Sequence, residues 1–245
     1  MQSLSFTSTA DDKSCPAVGL VVLQTDETME DELKRWLPDR YRLFHTRIAN
    51  SQKVDQQTLQ AMKAKLPDSV SLLPSNAPFE VIAFGCTSAS TLIGEQVVTQ
   101  AIQSVIGKTT AVTNPVTAIK ANLQHIKAKR IALLTPYSPD ISQALLSNLS
   151  DSGYSITNSG TFNETQDYRV ARISRDSLLS AITHLGGGQD IDALVVSCTN
   201  LRTFDVVKVA SDSIACPVIS SNSALAWHIQ HLVDEAKHRD FAHTR

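Results

Sequence analysis

A chain of 245 residues, 42% of them hydrophobic, is long enough to bury a sizeable core, as one large domain or as two of roughly 100–120 residues each. Its 22 basic residues nearly balance its 24 acidic ones, and a net charge of -2 excludes the strong field of a protein built to bind nucleic acid or an anionic membrane. No apolar run approaches the ~20 residues that span a bilayer, and the four cysteines form no CxxC pair of the kind a structural zinc site uses.

Residues 1–14 are rich in serine and threonine and lack the basic start and apolar centre of a signal peptide, so we expect a disordered leader on a cytoplasmic protein whose cysteines stay thiols. The apolar run from Ala17 to Leu23, rich in β-branched residues, predicts a buried first strand. Gln24-Thr25-Asp26-Glu27-Thr28 is then a turn into a helix over 29–37, with acidic residues early and Pro38 at its end. A second strand over 41–48, a helix over about 55–65 and a loop over 67–78 lead to a strand that stops at Cys86. Leu92, Ile93, Val97, Ala101, Ile102, Val105 and Ile106 recur at helical spacing, which predicts one helix just beyond Cys86 with Thr87 and Ser88 as caps. A short strand over 110–113 and a helix opened by Pro115 and running to about 128 follow.

The second half restarts with a strand over 130–137, a helix over 140–149, a strand over 154–162, a polar loop over 163–168 and a helix over 177–185. Gly186-Gly187-Gly188 is a helix C-terminal turn, since a phosphate-cradling loop follows a strand and opens a helix. Ala193-Leu194-Val195-Val196 is a strand buried on both faces, and the cluster Ser197-Cys198-Thr199-Asn200 stands where it stops. A helix through Leu201, Phe204, Val207 and Ala210, a strand over 217–221 and a closing helix over 222–237 complete the chain. Val18 to Cys86 spans 68 positions and Ile131 to Cys198 spans 67, so the chain builds one arrangement twice.

Alternating strands and helices predict right-handed βαβ units. The expected class is α/β: two pseudo-symmetric lobes, each a parallel sheet flanked by helices, with the active site in the cleft between them. We assign 15–118 and 215–245 to the first lobe and 119–214 to the second, because the last strand and helix exceed what the second repeat needs.

Open α/β sheets bind ligands beyond the carboxyl ends of their strands. A thiol there, just before a helix, feels the positive end of the helix dipole, which lowers its pKa from ~8.5 toward neutrality. Cys86 and Cys198 occupy that position, whereas Cys15 and Cys216 precede strands and are assigned as structural. Thr87, Ser88, Thr199 and Asn200 offer backbone N–H groups and short polar side chains suited to a carboxylate or a developing oxyanion. Across a cleft, one thiolate removes a proton or attacks a carbon while the other, as thiol, delivers a proton from the opposite face. Cofactor-free racemisation and addition, rotation and elimination at an alkene both need that pair. A lone cysteine in a strand is more simply a small buried apolar residue; the repetition of the motif carries the chemical reading.

Gly85-Cys86-Thr87-Ser88, Ser197-Cys198-Thr199-Asn200-Leu201-Arg202-Thr203 and the stretch from Pro217 through Ser220-Ser221-Asn222 to Trp227-His228 resemble the aspartate/glutamate racemase superfamily. The resemblance is to the branch of maleate cis-trans isomerase, arylmalonate decarboxylase and ectoine-utilisation racemase-like proteins, and it spans nearly the whole chain after the leader. It implies cofactor-independent isomerase chemistry on a small carboxylate or amino acid, in a homo-oligomer, dimer or tetramer. It also implies that Cys86 resembles the cysteine that attacks the double bond, Cys198 the acid/base thiol, Tyr137 a tyrosine that binds a substrate carboxylate, and Asn163 an asparagine of the loop over the site. Cys86 stands where the decarboxylase has glycine, which argues against decarboxylation. Asp26 departs from the asparagine-bearing turn of maleate isomerases; ionised, it repels a dicarboxylate and suits an ammonium group, unless it only caps the first helix.

His228 and His231 lie three apart with no third ligand, so no metal is expected, and Trp227 is read as core. Arg202 is either a carboxylate clamp or a surface ion pair, and Tyr137 is alternatively a core tyrosine bonded to a carbonyl. Three functions follow: an isomerase or racemase using both thiols, a lyase or hydrolase using mainly Cys198, and a non-catalytic small-acid binder.

Overall fold

The computed structural model describes residues 1–9 and 14–243. Strands β1 (Ala17–Leu23), β2 (Arg42–Ile48), β3 (Phe79–Gly85) and β4 (Ala111–Thr113) form a parallel sheet in the order β2-β1-β3-β4. Strands β5 (Arg130–Thr135), β6 (Ser155–Thr161), β7 (Ala193–Val196) and β8 (Val218–Ser220) form a second parallel sheet in the order β6-β5-β7-β8. The two orders are the same topology, so the repeated interval in the sequence is a repeated fold. The α/β class and two-lobe plan follow. Helices cover both faces of each sheet's centre, which is why β1 and β7 are buried at every position, whereas the edge strand β6 alternates between exposed and half-buried residues.

The first half carries helices α1 (Met29–Trp36), α2 (Gln56–Ser71), α3 (Thr87–Ile93), α4 (Glu95–Ile106) and α5 (Pro115–His125). The second carries α6 (Pro139–Asp151), α7 (Asp167–Val170), α8 (Arg175–Gly186), α9 (Phe204–Ile214) and α10 (Ser221–His243). Helix α5 starts as its sequence dictates: Asn114 accepts from the N–H groups of Val116 and Thr117, and Pro115 takes the first helical position. One core cluster joins Leu20 and Ala83 of the first sheet to Leu133 and Val195 of the second through Ile119 of α5 and Leu225 and Ile229 of α10. The lobes are therefore packed together.

Several elements differ from the sequence expectation. Helix α2 runs straight through Pro67, because its stripe Leu59, Met62, Leu66 and Val70 is buried against the first sheet, and that burial offsets the ~3 kcal/mol a proline costs a helix interior. The helix beyond Cys86 is two helices, broken at Gly94, whose φ of +96° is a conformation L side chains rarely adopt. Helix α9 begins only at Phe204, and the polar loop over 163–168 contains the start of α7. Segment 215–245 divides between the lobes: β8 pairs with β7 and completes the second sheet, since α9 delivers the chain to that free edge as a crossover helix does, while α10 packs on α5 and α1. Residues 1–9 of the expected leader are exposed and without helix or strand, and residues 10–13 lie outside the described residues. Among the described residues no helix is long and apolar enough to cross a membrane.

Candidate active site

The carboxyl ends of β3 and β7, the third strand of each sheet, meet at one cavity. Cys86, Thr87 and Ser88 line it from the first lobe and Cys198, Thr199 and Asn200 from the second, together with Asp26, Tyr137 and Asp167. Its volume is about 20 Å³, little more than one water needs, so a ligand enters only when the lining parts. One wall is tied across the lobes, with Val54 N–H donating to Thr165 O at 3.0 Å and Asp167 N–H to Gln52 O at 3.1 Å.

Cys86 is the N-cap of α3: its Sγ accepts from Ala89 N–H at 3.4 Å and lies 3.5 Å from Ser88 Oγ. Cys198 has a φ of +150°, a strained backbone for an L residue, and is held there by Ser221, whose Oγ accepts from Cys198 N–H at 3.0 Å. Its Sγ accepts from Asn200 N–H at 3.4 Å. The expectation of lowered thiol pKa values is overturned. Burial pushes Cys86 up to about 12, with the Asp167 and Asp26 charges adding to the effect and Ser88 and Ala89 N–H opposing it. Burial and then Asp167 push Cys198 well above its ordinary value, and with α9 starting six residues downstream no helix dipole acts on it. In this closed cavity both cysteines are thiols.

Asp26 caps the first helix, and one of its carboxylate oxygens is not used by the cap. Its Oδ1 caps α1, accepting from Thr28 N–H at 2.8 Å and Met29 N–H at 2.7 Å, while its Oδ2 is buried without a partner. Burial raises its pKa to about 6. Asp167, which the sequence reading missed, accepts from Thr25 Oγ1 and from Asn200 Nδ2, the latter at 3.1 Å, and burial raises it too. The Tyr137 hydroxyl is buried beside Cys198 and Ser197 but closes no hydrogen bond of ordinary geometry, so the carbonyl-bonded core alternative does not apply.

The small polar residues expected to receive a carboxylate are largely committed to joining the lobes. Thr199 Oγ1 donates to Gly85 O at 3.2 Å, Thr87 Oγ1 pairs with Ser221 Oγ at 2.9 Å, and Asn200 Oδ1 accepts from Glu27 N–H at 2.9 Å. Glu32 is a further staple unseen in the sequence: buried, it accepts from Thr203 N–H and Oγ1, Phe204 N–H and Asn222 Nδ2. Asn163 is not brought to the cavity; it is exposed, at a φ of +52°, with its N–H on Thr161 Oγ1 at 3.0 Å. Arg202 also lies outside, donating to Ala171 O at 3.1 Å, and Cys15 and Cys216 do not line the cavity. His228 is bonded through Nδ1 to Thr113 Oγ1 at 2.7 Å, and His231 pairs with Glu235 at 3.2 Å. Trp227 is half-buried and stacks on His231 rather than filling the core.

The family model for arylmalonate decarboxylase matches residues 18–243. The chain belongs to the arylmalonate decarboxylase family. A maleate isomerase of Nocardia farcinica is 26% identical over 233 residues, covering 89% of this chain and 90% of that protein. The crystal structure of maleate isomerase Iso from Pseudomonas putida superposes with a TM-score of 0.83 at 21% identity, covering 89% of this chain and 93% of that one. A cysteine-to-serine mutant of the Nocardia farcinica maleate cis-trans isomerase, solved with a covalently bound succinylcysteine intermediate, superposes with a TM-score of 0.81 at 25% identity, covering 89% and 93%. These likenesses agree with the joint branch of maleate isomerases and arylmalonate decarboxylases that the sequence motifs pointed to.

Proposed function

We propose that this protein is a cofactor-independent isomerase of a small carboxylic acid, with Cys86 and Cys198 as its two working thiols. The observation that carries the reading is that two buried thiols, each just past the third strand of its own lobe, line one cavity beside an unpartnered Tyr137 hydroxyl. The succinylcysteine of the Nocardia farcinica relative supports covalent cysteine chemistry in such a site.

Both cysteines begin as thiols, so one proton must leave before reaction; Asp26 and Asp167, raised toward neutrality, are the bases in the same cavity. In the addition route, the Cys86 thiolate forms a C–S bond to one alkene carbon, the Cys198 proton goes to its neighbour, and the single bond rotates. Cys198 then takes a proton back as the C–S bond breaks. In the proton-transfer route, one thiolate removes the α-proton and the other thiol returns one from the opposite face. Tyr137 donates to the substrate carboxylate in either route, with Ser88 and the backbone N–H groups at Thr87 and Thr199 around it. Asn163 serves only if the loop bearing it moves inward. A homo-oligomer belongs to the same reading on the strength of the resemblance, and a reducing cytoplasmic setting is supported by four cysteines that form no disulfide. Light scattering and fractionation check these two points.

The test is to incubate the protein in D₂O with maleate and with D- and L-aspartate and glutamate, following products by NMR and the protein by intact mass. Conversion lost in both Cys86→Ser and Cys198→Ser is expected. An adduct on Cys86 indicates addition, and deuterium at the α-carbon without an adduct indicates racemisation. Activity retained by Cys86→Ala but lost in Cys198→Ala would instead make this a one-thiol lyase or hydrolase.

A further inference from the structure

We propose that the substrate of this cavity bears an ammonium group as well as a carboxylate, and that Asp26 and Asp167 receive the ammonium. This rests on the isomerase reading above and narrows its substrate class to amino acids.

Two carboxylates, each 4% exposed, line a cavity that no arginine lines among the described residues. The lysine in its lining, Lys53, is 63% exposed and pairs with Asp55 at 3.3 Å. The nearby arginines are spent elsewhere: Arg47 on Glu30 and on Leu23 O at 2.8 Å, Arg172 on Glu27 at 2.9 Å, and Arg202 on Ala171 O. A buried pair of acids without a buried base is a costly arrangement unless a cation completes it.

The hydrogen bonds show which form these acids take. The hydrogen-bond partners of the two side chains are donors: backbone N–H groups of Thr28 and Met29 on Asp26 Oδ1, the Thr25 hydroxyl on Asp167 Oδ2, and the Asn200 amide on Asp167 Oδ1. Donors on three of the four oxygens are the surroundings of ionised carboxylates rather than of protonated ones. The fourth oxygen, Asp26 Oδ2, is buried without a hydrogen bond of ordinary geometry, since the Thr199 hydroxyl near it donates to Gly85 O. Among the described residues, the Tyr137 hydroxyl is the other buried side-chain group on the cavity wall in that state.

One free acceptor and one free hydroxyl complement a zwitterion. An ammonium brings three donors and no acceptor, which suits Asp26 Oδ2 and the Asp167 carboxylate; a carboxylate brings only acceptors, which suits the Tyr137 hydroxyl. A dicarboxylate such as maleate would set two further negative charges against the two already buried, and would leave Asp26 Oδ2 unsatisfied.

The experiment measures binding of matched pairs to the full-length protein by calorimetry: succinate against D- and L-aspartate, glutarate against D- and L-glutamate, and butyrate against D- and L-2-aminobutyrate. In at least one pair the ammonium-bearing member should bind tenfold or more tightly than its partner. Asp26→Asn and Asp167→Asn should each cut that preference to threefold or less, and Asp26→Asn should tighten binding of the acid that lacks nitrogen. Equal affinities in every pair, no binding of any member, or a preference undiminished in both variants would overturn the proposal. The two readings fail separately. An ammonium preference without turnover sinks the isomerase reading alone; cysteine-dependent turnover of maleate without an ammonium preference sinks this one alone.

Discussion

Replacing Asp26 with asparagine should stabilise the protein at neutral pH, and the gain should vanish in acid. The carboxyl group is 4% exposed and its pKa is raised by burial from an ordinary 3.8 to about 6. A raised acid favours the fold in its protonated form, so its contribution is fully present below pH 3.8 and is lost as pH rises through 6. At about 1.4 kcal/mol per unit, the ionised group costs the folded state about 3 kcal/mol at pH 7.5 relative to pH 3.5. Asparagine keeps an oxygen for the Thr28 and Met29 N–H groups, so the cap on α1 survives while the buried charge disappears. Urea unfolding of both proteins at pH 4 and pH 7.5 measures the difference. The variant should gain about 2–3 kcal/mol more over wild type at pH 7.5 than at pH 4. A difference independent of pH, or one larger in acid, would refute the assignment of Asp26 as a buried, ionised group. A wild-type chain that carries such a cost is keeping a charge that its fold does not need, as functional sites do.

Glu32→Ala should be among the most destabilising single changes, because it leaves the N–H groups of Thr203 and Phe204 without their acceptor, at ~1–3 kcal/mol each, and removes one of the two acceptors of the Asn222 amide, which keeps Thr199 O; a fall of ~2–5 kcal/mol in unfolding free energy is expected, and a fall under ~1 would show that the lobes are joined by other means. Gly85→Ala should cost ~1–3 kcal/mol, since a Cβ there would stand 2.1 Å from Met29 Sδ. That cost should shrink when Met29→Ala is added, and a double-mutant cycle without coupling would disprove the clash. Asn114→Ala should lower stability by ~1 kcal/mol through loss of the α5 cap, read as a shift in the thermal midpoint, and no shift would mean that Pro115 alone starts the helix.

Strand and helix order was legible because central strands buried on both faces leave continuous apolar runs, and the repeated interval to each cysteine disclosed the doubled topology. Helix limits were less so: Pro67 looks like a terminator locally, yet tertiary burial of Leu66 and Val70 carries α2 past it. Within the site, the two thiols could be named from their places after strands, whereas Tyr137 and Asp26 were singled out through the family resemblance, one by matching it and the other by departing from it. Their protonation could not be read, because it depends on burial, which no local motif encodes, and the helix dipole argument gave the wrong direction for both cysteines. Asp167 escaped notice as one polar residue in a polar loop; its signal was its place just beyond β6, the second-lobe counterpart of the turn after β2 that contributes Asn50. Asn163, four residues earlier in the same loop, was carried over from the family resemblance and faces solvent. Glu32 looked like an ordinary acidic residue in the first turn of α1, favourable to the helix dipole, with nothing to mark it as the joint between lobes.

Whether Cys86 and Cys198 act as one unit on one substrate is read from the kinetic comparison of Cys86→Ser, Cys198→Ser and the double variant on whichever acid the wild type converts. Groups that act together fail together, so each single change should lower kcat/KM by ~10²-fold or more and the double variant should be about as impaired as the worse single one. Losses that multiply in the double variant, or a Cys86→Ser protein with near wild-type turnover, would contradict the account.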